Sequence, residues 1–221
     1  MLKIEKYVTL SPEQWEMVIE GMRNPKNSWD RMDSCIVDYF ADDHVFNHDF
    51  EIGPNDHKLM MQLNDGGPVH AKYRRMTMVW FTVTAPQFWW AEFDTYKVGT
   101  VRNSCSKMHK IHVAPFTIDN FTHEGCDEVP LATNVLNQVI DACETLRERF
   151  NATQEKKYWR ALIELLPSGY NMKATIMLGY EVLANIYEWR KNHKLTEWHT
   201  FCHWIEELPY SELITGYKEE E

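Results

Sequence analysis

The chain has 221 residues, 44% hydrophobic and 25% charged, which is typical of one large globular domain or two small ones. Its formal net charge is −10, which disfavours nonspecific binding to the backbone of a nucleic-acid polymer. No stretch approaches the roughly 20 consecutive apolar residues that span a bilayer, so the sequence predicts no membrane association.

The first forty residues predict one strand, over 3–8, followed by two helices. The first helix begins at a capping box, in which Ser11 caps the helix and Gln14 reaches back, and it ends before an Asn-Pro break. After this break, Ser28 is placed to cap a second helix that continues through Phe40.

Metal-ligating residue types crowd the stretch 42–49, DDHVFNHD, which is predicted to be irregular. Because Asp and His are also common in loops and no further spaced ligands accompany them, no metal is predicted here. A second candidate is the pair His199 and His203, one helical turn apart with Cys202 between them. Zinc hydrolases with paired histidines have Glu directly after the first one, whereas this chain has Thr200, so we expect a partly exposed polar helix face.

The rest of the sequence predicts an α+β domain with a helical second half. A short helix over 56–63 ends at Gly66-Gly67-Pro68. Alternating Val, Thr and aromatic residues over 76–84 predict a central strand, which Pro86 follows. Residues 111–130 carry no clear pattern. Apolar stripes near the 3.6-residue period then predict four helices, over 131–150, 155–166, 171–190 and 196–207.

Basic residues concentrate in the segment 72–110, although the chain as a whole is acidic. The segment contains only two acidic residues, Glu92 and Asp94. Its basic residues are Lys72, Arg74, Arg75, Lys97, Arg102, Lys107 and Lys110. Such a segment either faces acidic surfaces in the assembly or binds a small anion such as a nucleotide phosphate.

A distinctive order of residues covers 82–109, which reads TVTAPQFWWAEFDTYKVGTVRNSCSKMH. The predicted strand ends at Pro86, and seven residues separate Tyr96-Lys97-Val98 from Ser106. Asn103 lies three residues before that serine, and Ser104 follows it. This arrangement resembles the core motif of the flavin-dependent thymidylate synthases, in which Arg-His-Arg, seven residues and Ser follow a strand and a helix. In the family, Glu stands at the position of Ser104.

Three further stretches resemble the same family, and they occur in the family's order. Pro68-Val69-His70-Ala71 resembles its Glu-His-Ala, and Leu165-Leu166-Pro167 resembles its Leu-Pro. Residues 183–190 resemble its Leu-x-Asn-(x)4-Arg helix, in which Asn185 and Arg190 match by residue type.

The resemblance implies the α+β fold of the thymidylate synthase-complementing proteins, with a mixed or antiparallel sheet and a helical carboxyl-terminal half. It also implies a single domain over residues 1–221 and a homotetramer whose sites are shared between chains. The implied activity is transfer of a one-carbon unit to dUMP, with FAD as redox cofactor and with NADPH and methylenetetrahydrofolate as co-substrates. Flavin would carry the redox step, so no cysteine nucleophile is required.

The resemblance and the residue types also imply two ligand sites, although no catalytic residue is identified. FAD is expected to contact His70, Arg75, Tyr96, Lys97 and Asn185. The nucleotide is expected to contact Arg102, Asn103, Ser104, Ser106, Lys107, Arg160 and Arg190, because cationic side chains neutralise phosphate. The candidates for a flat apolar surface against the flavin ring are Trp89, Trp90 and Tyr96.

Two other functions stay open at this point. One is a homologue that binds a nucleotide or a protein without catalysis, and the other is an enzyme with a different nucleotide substrate. The lysines also have a plain interpretation as surface charges, and Arg190 can complement the dipole at a helix end. The five cysteines form no CxxC pair and the first residues lack the apolar core of a signal peptide, so we expect a cytoplasmic protein with reduced thiols.

Overall fold

The computed structural model describes residues 2–40 and 46–216. The strands of this part of the chain are β1 Lys3–Val8, β2 Cys35–Phe40, β3 Phe46–Glu51, β4 Met78–Pro86, β5 Thr100–Ser104 and β6 Asn171–Gly179. Its helices are α1 Pro12–Arg23, α2 Pro54–Asp65, α3 Gln87–Phe93, α4 Lys107–Lys110, α5 Glu124–Asp127, α6 Pro130–Thr153, α7 Lys156–Leu165, α8 Tyr180–Arg190, α9 Thr196–Glu206 and α10 Glu212–Thr215. None of the described helices is both long and apolar enough to cross a membrane.

The strands form a four-stranded sheet and a separate hairpin. The sheet has the order β1-β4-β6-β5, so β4 is a central strand, as predicted. Val79, Phe81, Val83 and Ala85 on β4 are all buried, which agrees with a strand inside a sheet. The hairpin pairs β2 and β3 antiparallel, with Val37 opposite Asp49.

The chain divides into two compact units, which are built from interleaved segments. Of the described residues, unit one contains 2–6, 82–95 and 102–175, and unit two contains the remainder. In unit one, α6 and α7 pack over a core of Ile111, Phe116, Phe121, Ile140, Cys143 and Leu162. Unit two has an aromatic core in which the ring centroid of Phe81 lies 5.7 Å from that of Phe201 and 4.6 Å from that of Trp204.

The first helix and four later helices lie where the sequence predicts them. At α1, the Ser11 hydroxyl accepts from the Gln14 N–H at 3.4 Å, and the Gln14 side-chain oxygen accepts from the Ser11 N–H at 2.9 Å. This is the predicted capping box. The helices predicted over 56–63, 131–150, 155–166 and 196–207 correspond to α2, α6, α7 and α9.

The predicted helix from Ser28 to Phe40 is wrong. Only a single turn of 3₁₀ helix forms there, at Trp29–Arg31, and Cys35–Phe40 is strand β2. The prediction of irregular structure for residues 46–49 is also wrong, because they begin strand β3. Strand β2 is rich in aromatic and β-branched residues, whereas β3 is mostly polar, and pairing with each other supplies the backbone hydrogen bonds that neither has alone.

The predicted helix over 171–190 divides into a strand and a helix. Asn171–Gly179 is strand β6, in which Ala174, Ile176 and Leu178 are buried at every second position. This period of two indicates a strand, although the apolar spacing over 171–190 as a whole also fits the helical stripe that the sequence predicts. Gly179 has an extended backbone at the start of α8, and the helix runs only over Tyr180–Arg190.

A buried ion pair fixes the amino-terminal end of α2 in unit two. Asp56 is 0% exposed and accepts from the Arg23 Nε at 2.5 Å. Its other carboxylate oxygen accepts from the Ser34 N–H and hydroxyl at 2.9 and 2.7 Å and from the Asp33 N–H at 2.9 Å. The Asp33 carboxylate in turn accepts from the N–H groups of Asn55 and Asp56 in the first turn of α2. Every oxygen of the Asp56 carboxylate is therefore hydrogen-bonded.

Candidate functional site

An apolar cleft of about 520 Å³ lies in unit two, and it includes Arg75, one of the residues predicted to contact FAD. It is formed by Arg75, the start of β4, residues 98–101 around the start of β5, the end of β6 and the start of α8. Its lining residues are Arg75, Met78, Val98, Gly99, Thr100, Val101, Met177, Gly179, Glu181 and Val182. Five of these are apolar side chains longer than alanine, so the cleft suits a flat hydrophobic group.

The width of this cleft depends on Gly99. Its φ of 79° lies in the left-handed region, where a residue with a Cβ is strained. A Cβ at this position would come within 3.2 Å of Val182 Cγ2 on α8. A side chain at position 99 would therefore narrow the cleft.

Arg75 forms a two-point ion pair within the cleft lining. Its Nε donates to Glu181 Oε2 at 2.6 Å, and its Nη2 donates to Glu181 Oε1 at 2.9 Å. The Arg75 side chain remains 57% exposed. The pair gives a mostly apolar cleft one charged, bidentate feature.

Arg190 contacts two aromatic rings, also in unit two. Its Nε donates to the Tyr96 hydroxyl at 2.9 Å, and its Cζ lies 4.6 Å from the Trp198 ring centroid and 5.6 Å from that of Tyr96. Trp198 is fully buried, whereas Arg190 is half-buried. These contacts hold the guanidinium and join two predicted ligand contacts, Tyr96 and Arg190.

The predicted phosphate contacts of unit one already have protein partners. Arg102 donates to Asp94 at 2.5 Å and lies 4.6 Å from the centroid of the Trp90 ring. Lys107 Nζ donates to the Gln87 side-chain oxygen at 2.8 Å. The Ser106 hydroxyl accepts from the N–H of His109, at the start of the single-turn helix α4.

The other predicted site residues lie at the protein surface. His70, Lys97 and Asn185 are exposed in unit two. Asn103 and Ser104 are exposed at the end of β5 in unit one. Arg160, also in unit one, forms an exposed ion pair with Glu164, four residues later on α7.

Trp89 and Trp90 do not provide the predicted surface for a flavin ring. They are 0% and 4% exposed, respectively. Their ring centroids lie 5.0 Å apart, and both pack on Phe93 in unit one. The Trp90 indole N–H donates to the carbonyls of Ala85 and Met172, each at 3.0 Å. These tryptophans are core residues, and Tyr96 is the only one of the three candidates that is not buried.

Sequence reasoning missed Glu181, Val182 and Trp198. Glu181 and Val182 precede Asn185 by four and three residues on α8, so the helical period places them on the same face. The sequence spacing alone therefore could have identified Glu181 and Val182 as neighbours of Asn185. Trp198 lies on another helix, α9, and no local pattern links it to Arg190.

No cluster of three metal-ligating side chains occurs within residues 2–40 and 46–216. His199 contacts the carbonyl of His193, and His203 lies 3.4 Å from both Glu206 and Glu207. Burial raises the pKa of the adjacent Cys202 thiol to about 12, so this cysteine is not a thiolate at neutral pH. Of the stretch 42–49, positions 42–45 lie outside the described residues.

Comparisons with known proteins give the fold. No protein-family model matches the sequence, and no curated protein does either. One similar solved structure is flavin-dependent thymidylate synthase ThyX from Helicobacter pylori complexed with FAD and dUMP, with a TM-score of 0.62, 13% identity and 97% of each chain covered. A second crystal structure of ThyX from that organism, also with FAD and dUMP, gives a TM-score of 0.61 at 14% identity over 97% of each chain. The chain therefore has the α+β fold of the flavin-dependent thymidylate synthases, as the resemblance of its motifs implied.

Proposed function

We propose that the chain is a flavin-dependent enzyme that transfers a one-carbon unit to the base of dUMP. The apolar cleft of unit two is the observation that carries this proposal. Its volume of about 520 Å³ is within the usual range for ligand sites, roughly 300–1,000 Å³. The shared fold supports the proposal, because the similar ThyX crystal structures contain FAD and dUMP.

The residues of the cleft fit a flavin ring. Val98, Val101 and Val182 offer apolar contact to its faces, and Arg75 with Glu181 offers hydrogen-bonding groups for its polar edge. The exposed His70, Lys97 and Asn185 and the half-buried Tyr96 would complete the cofactor site, as the sequence implies. When bound, the flavin would supply the redox chemistry, and the protein would supply position and electrostatics.

The nucleotide would be held by cationic and polar side chains. Arg190, in contact with Tyr96 and Trp198, would bind the base. Arg102, Asn103, Ser104, Ser106, Lys107 and Arg160 would hold the phosphate. The protein would be a cytoplasmic homotetramer, in which different chains contribute these groups to one ligand site. NADPH and methylenetetrahydrofolate would be the co-substrates.

A homologue that binds a nucleotide without catalysis is the second candidate. It is favoured by the internal bonding of the cations, because Arg75, Arg102 and Arg160 each have a carboxylate partner within the chain. A phosphate would have to displace these carboxylates. Two arginines of the family motif are also replaced, by Tyr96 and Val98.

FAD binding tests the proposal directly. We expect the purified chain to take up added FAD, measured by the quenching of flavin fluorescence. The variant Gly99→Leu is expected to abolish this binding, because the new side chain would enter the cleft toward Val182. Gly67→Leu is the matched control: its φ is 83°, so it carries similar backbone strain, but a Cβ there meets no atom within 4 Å.

A thermal shift with dUMP tests the nucleotide site separately. We expect dUMP to raise the melting temperature of the wild-type chain and of the FAD complex, and Arg190→Ala to remove most of that shift. A chain that ignores FAD but still responds to dUMP would overturn the flavin enzyme in favour of the nucleotide-binding homologue. No response to either ligand would reject both.

A further inference from the structure

A second cleft in unit two is polar and mainly basic. Its volume is about 830 Å³, and it shares no lining residue with the apolar cleft. Four cations and one acid, Asp30, line it, together with four neutral polar residues and a single apolar one, Leu59. The cations are Arg23, Lys26, Arg31 and Lys58, and the neutral polar residues are Asn27, Ser28, Asn55 and Gln62.

Most of this positive charge has no carboxylate partner. Three of the four cations make no ion pair with any described residue, and all three are exposed: Lys26, Arg31 and Lys58. By contrast, two arginines of the predicted ligand sites, Arg75 and Arg102, are paired with carboxylates. A cleft with more cations than carboxylates, on a chain of net charge −10, will attract small anions.

The fourth cation gives the cleft a fixed donor. Arg23 is only 3% exposed, and its Nε is bound to Asp56. Its Nη1 donates to the Ser28 carbonyl and hydroxyl, both at 3.2 Å. The Nη2 has no acceptor among the described residues. Since the guanidinium is already held in place, an anion that reaches Nη2 would not have to order this side chain.

The lining chemistry identifies the class of ligand. Ammonium, guanidinium, amide and hydroxyl groups donate hydrogen bonds to anionic oxygens. The single apolar residue of the lining, Leu59, offers too little surface to bind an apolar or aromatic ligand. Several cations around one space match several adjacent negative charges. We propose that this cleft binds a polyphosphate group, of the kind present in inorganic triphosphate and in nucleoside triphosphates. This proposal does not depend on the flavin function.

Calorimetric titration with sodium tripolyphosphate, without divalent cations, tests the proposal. We expect saturable binding that weakens as salt concentration rises. The double variant Lys26→Gln/Arg31→Gln is expected to bind about 100-fold more weakly, since each charged hydrogen bond contributes about tenfold or more. Asp30→Asn is expected to bind more tightly, because it removes the one acidic side chain of the lining.

The matched control is Lys156→Gln/Lys194→Gln, which removes two exposed cations that do not line the cleft. It should leave the affinity unchanged, and neither double variant should alter FAD uptake. Titration with ATP shows which kind of polyphosphate the cleft prefers. Equal affinity for ATP and tripolyphosphate indicates that only the phosphates are recognised. Tighter binding of ATP indicates that the ligand is a nucleotide. Absence of saturable binding, an equal loss in the control, or equally tight binding of citrate would overturn the proposal.

Discussion

Replacement of Asp56 by alanine is expected to lower the free energy of unfolding by about 3–5 kcal/mol. Asp56 is 0% exposed, and its removal leaves the Arg23 guanidinium, which is 3% exposed, without its counter-charge. The Ser34 N–H and hydroxyl and the Asp33 N–H lose their acceptor at the same time. Breaking one partner of a buried pair costs more than the pair itself contributes, because an uncompensated charge stays in the interior.

Urea denaturation followed by tryptophan fluorescence measures this loss. Glu164→Ala is the control, because it breaks an ion pair with Arg160 in which both side chains are more than half exposed. We expect that control to cost less than about 0.5 kcal/mol. If the two variants had similar unfolding free energies, Asp56 would not be the anchor of α2 that its hydrogen bonds indicate.

The same carboxylate predicts a dependence of stability on pH. Burial by itself would raise the pKa of Asp56, but hydrogen bonds from the Ser34 hydroxyl, the Asp33 N–H and Arg23 outweigh it and lower the pKa below its ordinary value. A lowered folded-state pKa means that this contribution is complete above the unfolded pKa of about 3.9 and is lost as pH falls through the folded value. The difference between wild type and Asp56→Asn should therefore be constant from pH 7 to 5 and shrink only below about pH 4. A difference that shrinks already between pH 7 and 5 would contradict the lowered pKa.

The parts of the fold that could be predicted are those with local signals. The capping box at Ser11 and Gln14 and the apolar stripes of α6, α7 and α9 depend on residues within one or two turns of each other. Strand β6 differs from the sequence prediction because its partners, β4 and β5, lie elsewhere in the chain. Strand β2 pairs with its near neighbour β3, but the spacing of its apolar residues also fits the helix that the sequence predicts. The alternation of Ala174, Ile176 and Leu178 acquires its meaning only when β4 and β5 lie on either side of β6.

In the candidate site too, local sequence signals identify some residues, whereas their partners distant in the chain cannot be predicted. Motif resemblance selects Tyr96 and Arg190, and the concentration of basic residues selects Arg75, but neither shows what holds each of them. Glu181 is 106 residues from Arg75 and pairs with it only in the folded chain. The sequence also gives false candidates. Trp89 and Trp90 are predicted to form a ligand surface, but they are buried, and the sequence alone does not distinguish a buried aromatic residue from an exposed one.

The second large effect is expected from Trp198, the ring behind Arg190. Trp198→Ala should lower the free energy of unfolding by about 3–5 kcal/mol. Its ring is fully buried, and its centroid lies 6.0 Å from that of Phe201 and 6.2 Å from that of Tyr96. Truncation leaves a cavity in this aromatic cluster and removes the face that the Arg190 guanidinium covers at 4.6 Å.

Trp189→Ala is the control of identical chemistry, because that tryptophan is 73% exposed on α8 and next to Arg190 in sequence. Its cost should stay within about 0.5 kcal/mol, as for most surface substitutions. Trp198→Phe separates packing from the cation–π contact, since it keeps an aromatic face for Arg190 with a smaller cavity. Chemical denaturation should rank Trp198→Ala as the least stable, Trp198→Phe as intermediate and Trp189→Ala as close to wild type. Equal stabilities for the two alanine variants would contradict the packing role of Trp198, because loss of a fully buried ring from this cluster has to cost more than loss of an exposed one.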